Sequence, residues 1–198
     1  MSAIRRSKPY SSNSPPCPAK SFSLAVASAL ATILRILVCL TRMKGIYRRM
    51  HRGIAAHALD LVAENIHLLD GITFAFLCMD AGESKRLVVE RLEAIGASFV
   101  DVGMGLELDE GSLGGILRVT ASTPNKHDHV HRGRISFAGG GANDLYSSNI
   151  QVADLNALNA VLAVAKWKKI RGFYRDLEKE HHATYTTDGN MLINGDLG

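Results

Sequence analysis

A carboxylate that closes an apolar run is the residue in this 198-residue chain with the clearest chemical potential. Thr73–Met79 is apolar and ends in Asp80; a charged amphipathic segment and a second apolar run, Ser98–Val102, follow. Ile72–Gly105 therefore reads as strand, turn, helix, strand. Ligands of open parallel sheets bind just beyond the carboxyl ends of the strands, so Asp80 stands where a carboxylate meets a nucleotide or its metal ion. The structural alternative is a helix N-cap, with the Asp80 side chain accepting from free backbone N–H groups. The two roles are compatible.

Other reactive residue types have plainer readings. Cys78 lies inside the apolar run, where a thiol is a small buried hydrophobe rather than a nucleophile. His127, Asp128, His129 and His131 form HDHVH. Alternate residues of an extended segment share a side and these are metal-ligand types, but a short histidine run in a polar loop is ordinarily solvated. His181 and His182 read as surface residues, and Arg132 and Arg134 as part of a wet loop. Gly139–Gly141 follows no clear strand and precedes no helix cap, so it reads as a flexible turn and not a phosphate cradle. Cys17, Cys39 and Cys78 are too widely spaced for a disulfide framework or a zinc pattern, which suits a reducing cytoplasm.

The elements that must position these groups divide the chain in two. Ten of the 23 Lys/Arg and none of the 19 Asp/Glu lie in Met1–Arg52, so the remainder carries 13 basic against 19 acidic residues. An acidic globular part argues against a nucleic-acid surface there. Met1–Lys20 is Ser/Pro-rich and reads as disordered. Ser21–Leu40 is the most apolar stretch and, with basic flanks, imitates a secretory signal or membrane helix. Arg35 interrupts it, and the alternatives are an amphipathic or core helix or a leader foreign to the domain. Residues 1–43 are accordingly assigned to a leader and 44–198 to the folded part.

Within the folded part, Ile54–His57 with Leu59–Leu61 reads as a short strand-like piece, Ala63–Leu69 as a helix or turn, and Asp70-Gly71 as turn residues. Leu87, Val88, Leu92 and Ile95 recur at helical spacing with Glu83, Lys85, Arg86, Glu90, Arg91 and Glu93 on the wet side, and Gly96 ends the helix. Gly111–Gly115 reads as a flexible turn, and Ile116–Ser122 as a strand with one wet face. Thr123–Ser148 is a long functional or mobile loop. Ile150–Phe173 is a long helix whose Lys166–Arg171 end emerges to solvent, with Trp167, Tyr174 and Leu177 packing towards the sheet. Ala183–Thr187 and Met191–Asn194 flank Asp188-Gly189 as a hairpin. Strands alternating with helices imply a doubly wound α/β sheet.

FAFLCMDAGESKRLVVERLEAIGASFVDVGMGLEL, then GGILRVT, NIQVADLNALNAVLAVAKWKKIRGFY and a terminal strand pair, together resemble the carboxyl half of the ThiF/MoeB adenylyltransferases. Those enzymes are related to ubiquitin-activating enzymes. The resemblance spans about Lys44 to Asn194 and rests on the order and spacing of the pieces. It implies ATP and Mg²⁺ as cofactors, and as substrate the carboxyl-terminal carboxylate of a ubiquitin-like or sulfur-carrier protein. By resemblance Asp80 holds Mg²⁺ on the triphosphate, offsetting the repulsion between phosphates and a carboxylate nucleophile. Lys85 faces the nucleotide, and Gly103-Met104-Gly105 forms a floor that allows close backbone approach. Arg118 faces either the partner's carboxyl-terminal tail or solvent.

The departures from the family are specific. Its glycine-rich loop, ribose-reading acid and phosphate-binding Arg and Lys belong to the amino half, for which this chain shows no counterpart. The expected fold is thus an incomplete Rossmann-like doubly wound sheet with a C-terminal helix and strand pair. The expected activity is adenylation impaired by truncation, the alternative a catalytically dead half-domain that binds or oligomerises. A homodimer, or the missing amino half, would complete it. The family's paired Cys-x-x-Cys zinc motifs are absent, and Thr123–Ser148 holds no cysteine, so a thioester step on that loop is not expected.

Overall fold

The computed structural model describes residues 40–51, 53–137 and 152–198. Gly139–Gly141, Cys17, Cys39, Met1–Lys20 and all of Ser21–Leu40 except Leu40 lie outside them. The described chain divides after Ala58 into two units. In the first, residues 40–47 are helical and lead into turns. Among the described residues no helix is long and apolar enough to cross a membrane. The strand-like piece expected at Ile54–His57 and Leu59–Leu61 is irregular. Just beyond it the Asn65 side chain accepts from Val62 N–H and donates to Asp60 C=O, local bonds that compete with a ladder.

The second unit, from Leu59, is α/β with a five-stranded open mixed sheet in the order β1-β2-β3-β4-β5. The strands are β1 (Phe74–Leu77), β2 (Ser98–Asp109), β3 (Ser112–Ser122), β4 (His182–Thr186) and β5 (Met191–Gly195), with helices α1 (Glu83–Ala94) and α2 (Ala153–Ile170). β1 and β2 are parallel, and a parallel pair needs a crossover, which α1 provides. The remaining pairs are antiparallel. Strict helix–strand alternation therefore overstates the parallel part of the sheet.

β2 is longer than the expected Ser98–Val102, because it continues into a hairpin with β3. Only Glu110 and Gly111, at φ 45° and 81°, form the turn, as positive φ at both central residues suits a two-residue hairpin. The expected turn at Gly111–Gly115 is thus corrected: Gly114 and Gly115 are strand residues. At Gly115 a Cβ would lie 2.7 Å from Leu155 Cδ1, so glycine there permits close approach of α2. The hairpin around Asp188-Gly189 forms as expected.

Each helix covers a different set of strand residues. Val88, Val89 and Leu92 of α1 pack with Leu77, Phe99, Val130 and Ile135. Ala163 of α2, with Leu162, packs with Val100, Val119 and Ala121. Since strand side chains alternate faces, Phe99 and Val100 look to opposite sides, and the inner end of β3 is buried on both. Its expected wet face is confined to the outer end. At the end of α1 the Gly96 N–H donates to Glu93 C=O and the Ala97 N–H to Leu92 C=O, with Gly96 at φ 69°. This pair of bonds is the Schellman arrangement.

The end of α2 differs from its expected solvation. Lys166 is buried, 3.5 Å from both Asp176 and Glu180, while Lys169 lies 2.6 Å from Glu180. Acidic residues of the following turn fold back over the cations. Trp167 does pack on the sheet, edge-on to Phe74 and Phe76. Tyr174 and Leu177 do not: they are exposed, Leu177 by 83%.

Candidate functional site

Of the sequence-predicted residues, Asp80 follows the carboxyl end of β1, and Gly103 and Gly105 continue β2 beyond its pairing with that strand. That strand ends at Leu77, which pairs with Asp101 of β2. Cys78 is therefore past the strand and exposed, a correction to its burial within an apolar run. Partial enclosure of the thiol raises its pKa, and the nearby Asp101 carboxylate raises it further against the opposing pull of Lys85. A thiol so shifted is a poor nucleophile at neutral pH. Asp80 is exposed two residues before Gly82, the N-cap of α1, and no side chain caps the helix. The N-cap reading of Asp80 is thereby overturned, and its carboxylate is left facing solvent.

Lys85 was expected on the wet side of its helix and is instead 2% exposed. Its ammonium lies 2.7 Å from Asp101 Oδ1, a pair whose side chains are 3% and 0% exposed. Burial pushes the Asp101 carboxyl up from the ordinary range, with Lys85 and Arg118 opposing. Asp101 was not singled out from the sequence, although a charged residue inside SFVDV was a visible anomaly.

Gly103 and Gly105 follow Asp101 at strand period, so all three look to one side of β2. Arg118, directly opposite Gly103 in β3, lays its guanidinium over that glycine: Nη2 lies 2.6 Å from where a Cβ would stand. No atom lies within 4 Å of the corresponding point at Gly105. From α2, Asn159 Nδ2 donates to Gly103 C=O at 2.9 Å, fixing this part of the strand. Asp101 Oδ2 and Arg118 Nε, on one face of the sheet, are buried without a hydrogen-bond partner, as is Asn159 Oδ1 on the opposite, α2-covered face. The first two share a face, where a ligand or water would complete them.

Two of the histidines, His129 and His182, are buried. His129 is buried with Nε2 2.8 Å from Ala121 C=O, His131 Nε2 is 2.8 Å from Glu93, and Asp128 pairs with Lys126 and Arg132. Asp128, His129 and His131 thus take separate partners, and no group of three potential metal ligands occurs among the described residues. His129 corrects the solvated-loop reading, since Val130 and Ile135 anchor its segment in the core. His182 is also no surface residue: buried in β4, it lies 2.9 Å from Thr120 Oγ1 and 3.1 Å from Thr184 Oγ1. Burial, with Arg134 nearby, lowers its pKa to about 4, so the ring is neutral at pH 7. Arg134 pairs with Asp196 at 2.6 Å.

The site thus combines an exposed carboxylate past β1, two glycines of β2 of which Gly103 is covered by Arg118 and Gly105 is bare, a buried ion pair, and a guanidinium with no salt bridge among the described residues. Compared with protein-family models and with curated proteins, the chain matches none.

Proposed function

We propose that this chain carries one wall of a ThiF/MoeB-like adenylation site, in a Rossmann-like sheet, that uses ATP and Mg²⁺ to activate the terminal carboxylate of a ubiquitin-like or sulfur-carrier protein. The single observation that supports this reading most is the β1–α1–β2 unit with Asp80 exposed past the end of β1, and Gly103 and Gly105 in the strand that pairs with β1. Asp80 would hold the cation on the phosphates, and Gly105, bare where Gly103 is covered by Arg118, would admit the nucleotide to the backbone. The Lys85 ammonium acts through Asp101, which it neutralises, and so keeps a bare carboxylate away from the phosphates. Phosphate-binding groups from a glycine-rich loop are needed for turnover, so adenylation by the chain alone is expected to be weak.

A nucleotide titration tests the reading. The full chain should bind ATP in Mg²⁺ and lose that binding in EDTA, and Asp80→Asn should weaken it about tenfold, as for one lost charge-assisted contact. ATP binding indifferent to both Mg²⁺ and Asp80→Asn would falsify the assignment. A second reading, an oligomerisation module, is supported by the two sheet edges. β1 and β5 have no further strand beside them among the described residues, and neither contains a charged residue. Such edges invite pairing with another chain, either a second copy or a separate amino half. A concentration-dependent mass in light scattering supports this reading, and a monomer at every concentration removes it.

A further inference from the structure

The helix α2 is apolar on both sides. Its inner side packs Leu162 and Ala163 against β2 and β3, yet Ala157, Ala160, Val161 and Val164 of the outer side are exposed, Val161 by 64% and Val164 by 42%. No charged residue occurs between Asp154 and Lys166. A surface helix ordinarily turns polar residues outward, and a helix apolar all round is one that is covered on both sides. Past the helix end Phe173 and Tyr174 are exposed, with the Lys168 ammonium 5.1 and 5.2 Å from their ring centres, and they widen the same stripe.

The charges at the two ends of the stripe indicate what covers it. Asp154, Ala157, Val161, Val164, Lys168 and Arg171 recur at steps of three and four, the spacing of a helix-pairing seam. The seam opens with a carboxylate and closes with two cations. None of the three takes part in a salt bridge among the described residues; Lys168 and Arg171 lie only over aromatic rings. Such a seam is complementary to itself. Set antiparallel about a two-fold axis between Val161 and Val164, two copies bring Val161 of each against Val164 of the other, and Asp154 of each against Arg171 of the other. Parallel pairing would instead oppose like charges. A two-fold contact uses the same patch on both partners, so one exposed face is enough.

We propose that the outer face of α2 is the contact between two copies of this chain, paired antiparallel through Val161 and Val164. The proposal rests on the oligomerisation reading above for its occupant, a second copy, but it uses a helix face and neither sheet edge. At about 1.5 Å per residue the 18-residue helix is about 27 Å long. That limits the contact to the low end of specific interfaces, so dissociation falls in about the micromolar range.

The test is analytical ultracentrifugation of the full chain from about 1 to about 500 µM, with melting curves to show that each variant is folded. The parent chain should pass from monomer to dimer. Val161→Glu sets like charges at the centre of the contact and should raise the dissociation constant at least about tenfold, with an unchanged melting midpoint because the side chain is exposed. Asp154→Lys and Arg171→Glu should each weaken the dimer, and the two together, which restore opposite charges across the axis, should recover most of it. If Asp154→Lys does not fold, Val161→Glu decides alone. A parent chain that stays monomeric to about 500 µM overturns the proposal, as does a double charge variant no tighter than either single one. A dimer that Val161→Glu spares and Leu192→Lys on β5 removes also overturns it, while leaving oligomerisation through a sheet edge standing.

Discussion

Lys85 sits in the first turn of α1, yet its charge belongs to the sheet, not to solvent. Grouping Lys85 with Glu83 and Arg86 follows charge and not position: it stands three, four and seven residues before Val88, Val89 and Leu92, on the buried face of the helix. Its burial was therefore legible in the spacing, and its partner Asp101 was not. Removing one member of a buried pair leaves the other uncompensated at a cost of about 3–5 kcal/mol, whereas replacing both by apolar groups is often nearly neutral. Lys85→Met should therefore destabilise by about that amount in urea denaturation, and Lys85→Met with Asp101→Leu should recover most of it. A loss below about 1 kcal/mol in the single variant would mean that water reaches Asp101. That Asp80 lies past the end of a strand was legible from the polar residue closing an apolar run, although the strand already stops at Leu77. Asp101 was visible as a charge inside SFVDV, but what it and Asn159 face is shown only by the folded neighbourhood.

Elements were legible where local chemistry dictates them. The end of α1 at Gly96 is such a case, since a residue at φ 69° with two carbonyls to satisfy favours glycine. Gly96→Ala should cost about 1 kcal/mol, read as a lower urea midpoint at unchanged slope. No change would mean that the terminus unwinds at no cost. The terminal hairpin was equally legible from Asp188-Gly189. The β2–β3 hairpin was missed in part, because Gly111, Gly114 and Gly115 look alike in sequence. Gly111 turns the chain, and Gly115 makes room for Leu155 of α2. The solvated end assigned to α2 failed for a tertiary reason, as Asp176 and Glu180 return from a later segment to cover Lys166. For Glu180, burial alone would raise the pKa, but the hydrogen bond from Lys169 and the charge of Lys166 outweigh it and bring it to about 2. That contribution to stability is present above the unfolded value of 4.5 and is lost as pH falls towards 2.

At the scale of the molecule, the sheet meets acid through its histidines first. His129, His181 and His182 all have lowered pKa values, mainly through burial, and that of His182 falls from 6.5 to about 4. A folded value below the unfolded one means that the unfolded chain takes up protons first. The stability is therefore complete above pH 6.5 and declines as pH falls towards 4, by up to about 3 kcal/mol from His182 alone. Thermal melts between pH 7.5 and 4 should show a falling midpoint, and His182→Gln should flatten it. A flat profile in the parent chain would mean that these rings are hydrated.

The α/β class was legible from alternating periodicities, whereas the mixed sheet was not, because pairing direction is set by connections, and a two-residue turn after β2 forces antiparallel return. The adenylation reading is tested most directly by locating the metal. Mn²⁺–ATP added to the isotopically labelled full chain should broaden the amide signals of Cys78–Gly82 and Gly103–Gly105, and Asp80→Asn should remove the effect. Broadening confined to HDHVH or to the basic segment around Lys44–His51, or none at all, would contradict the account.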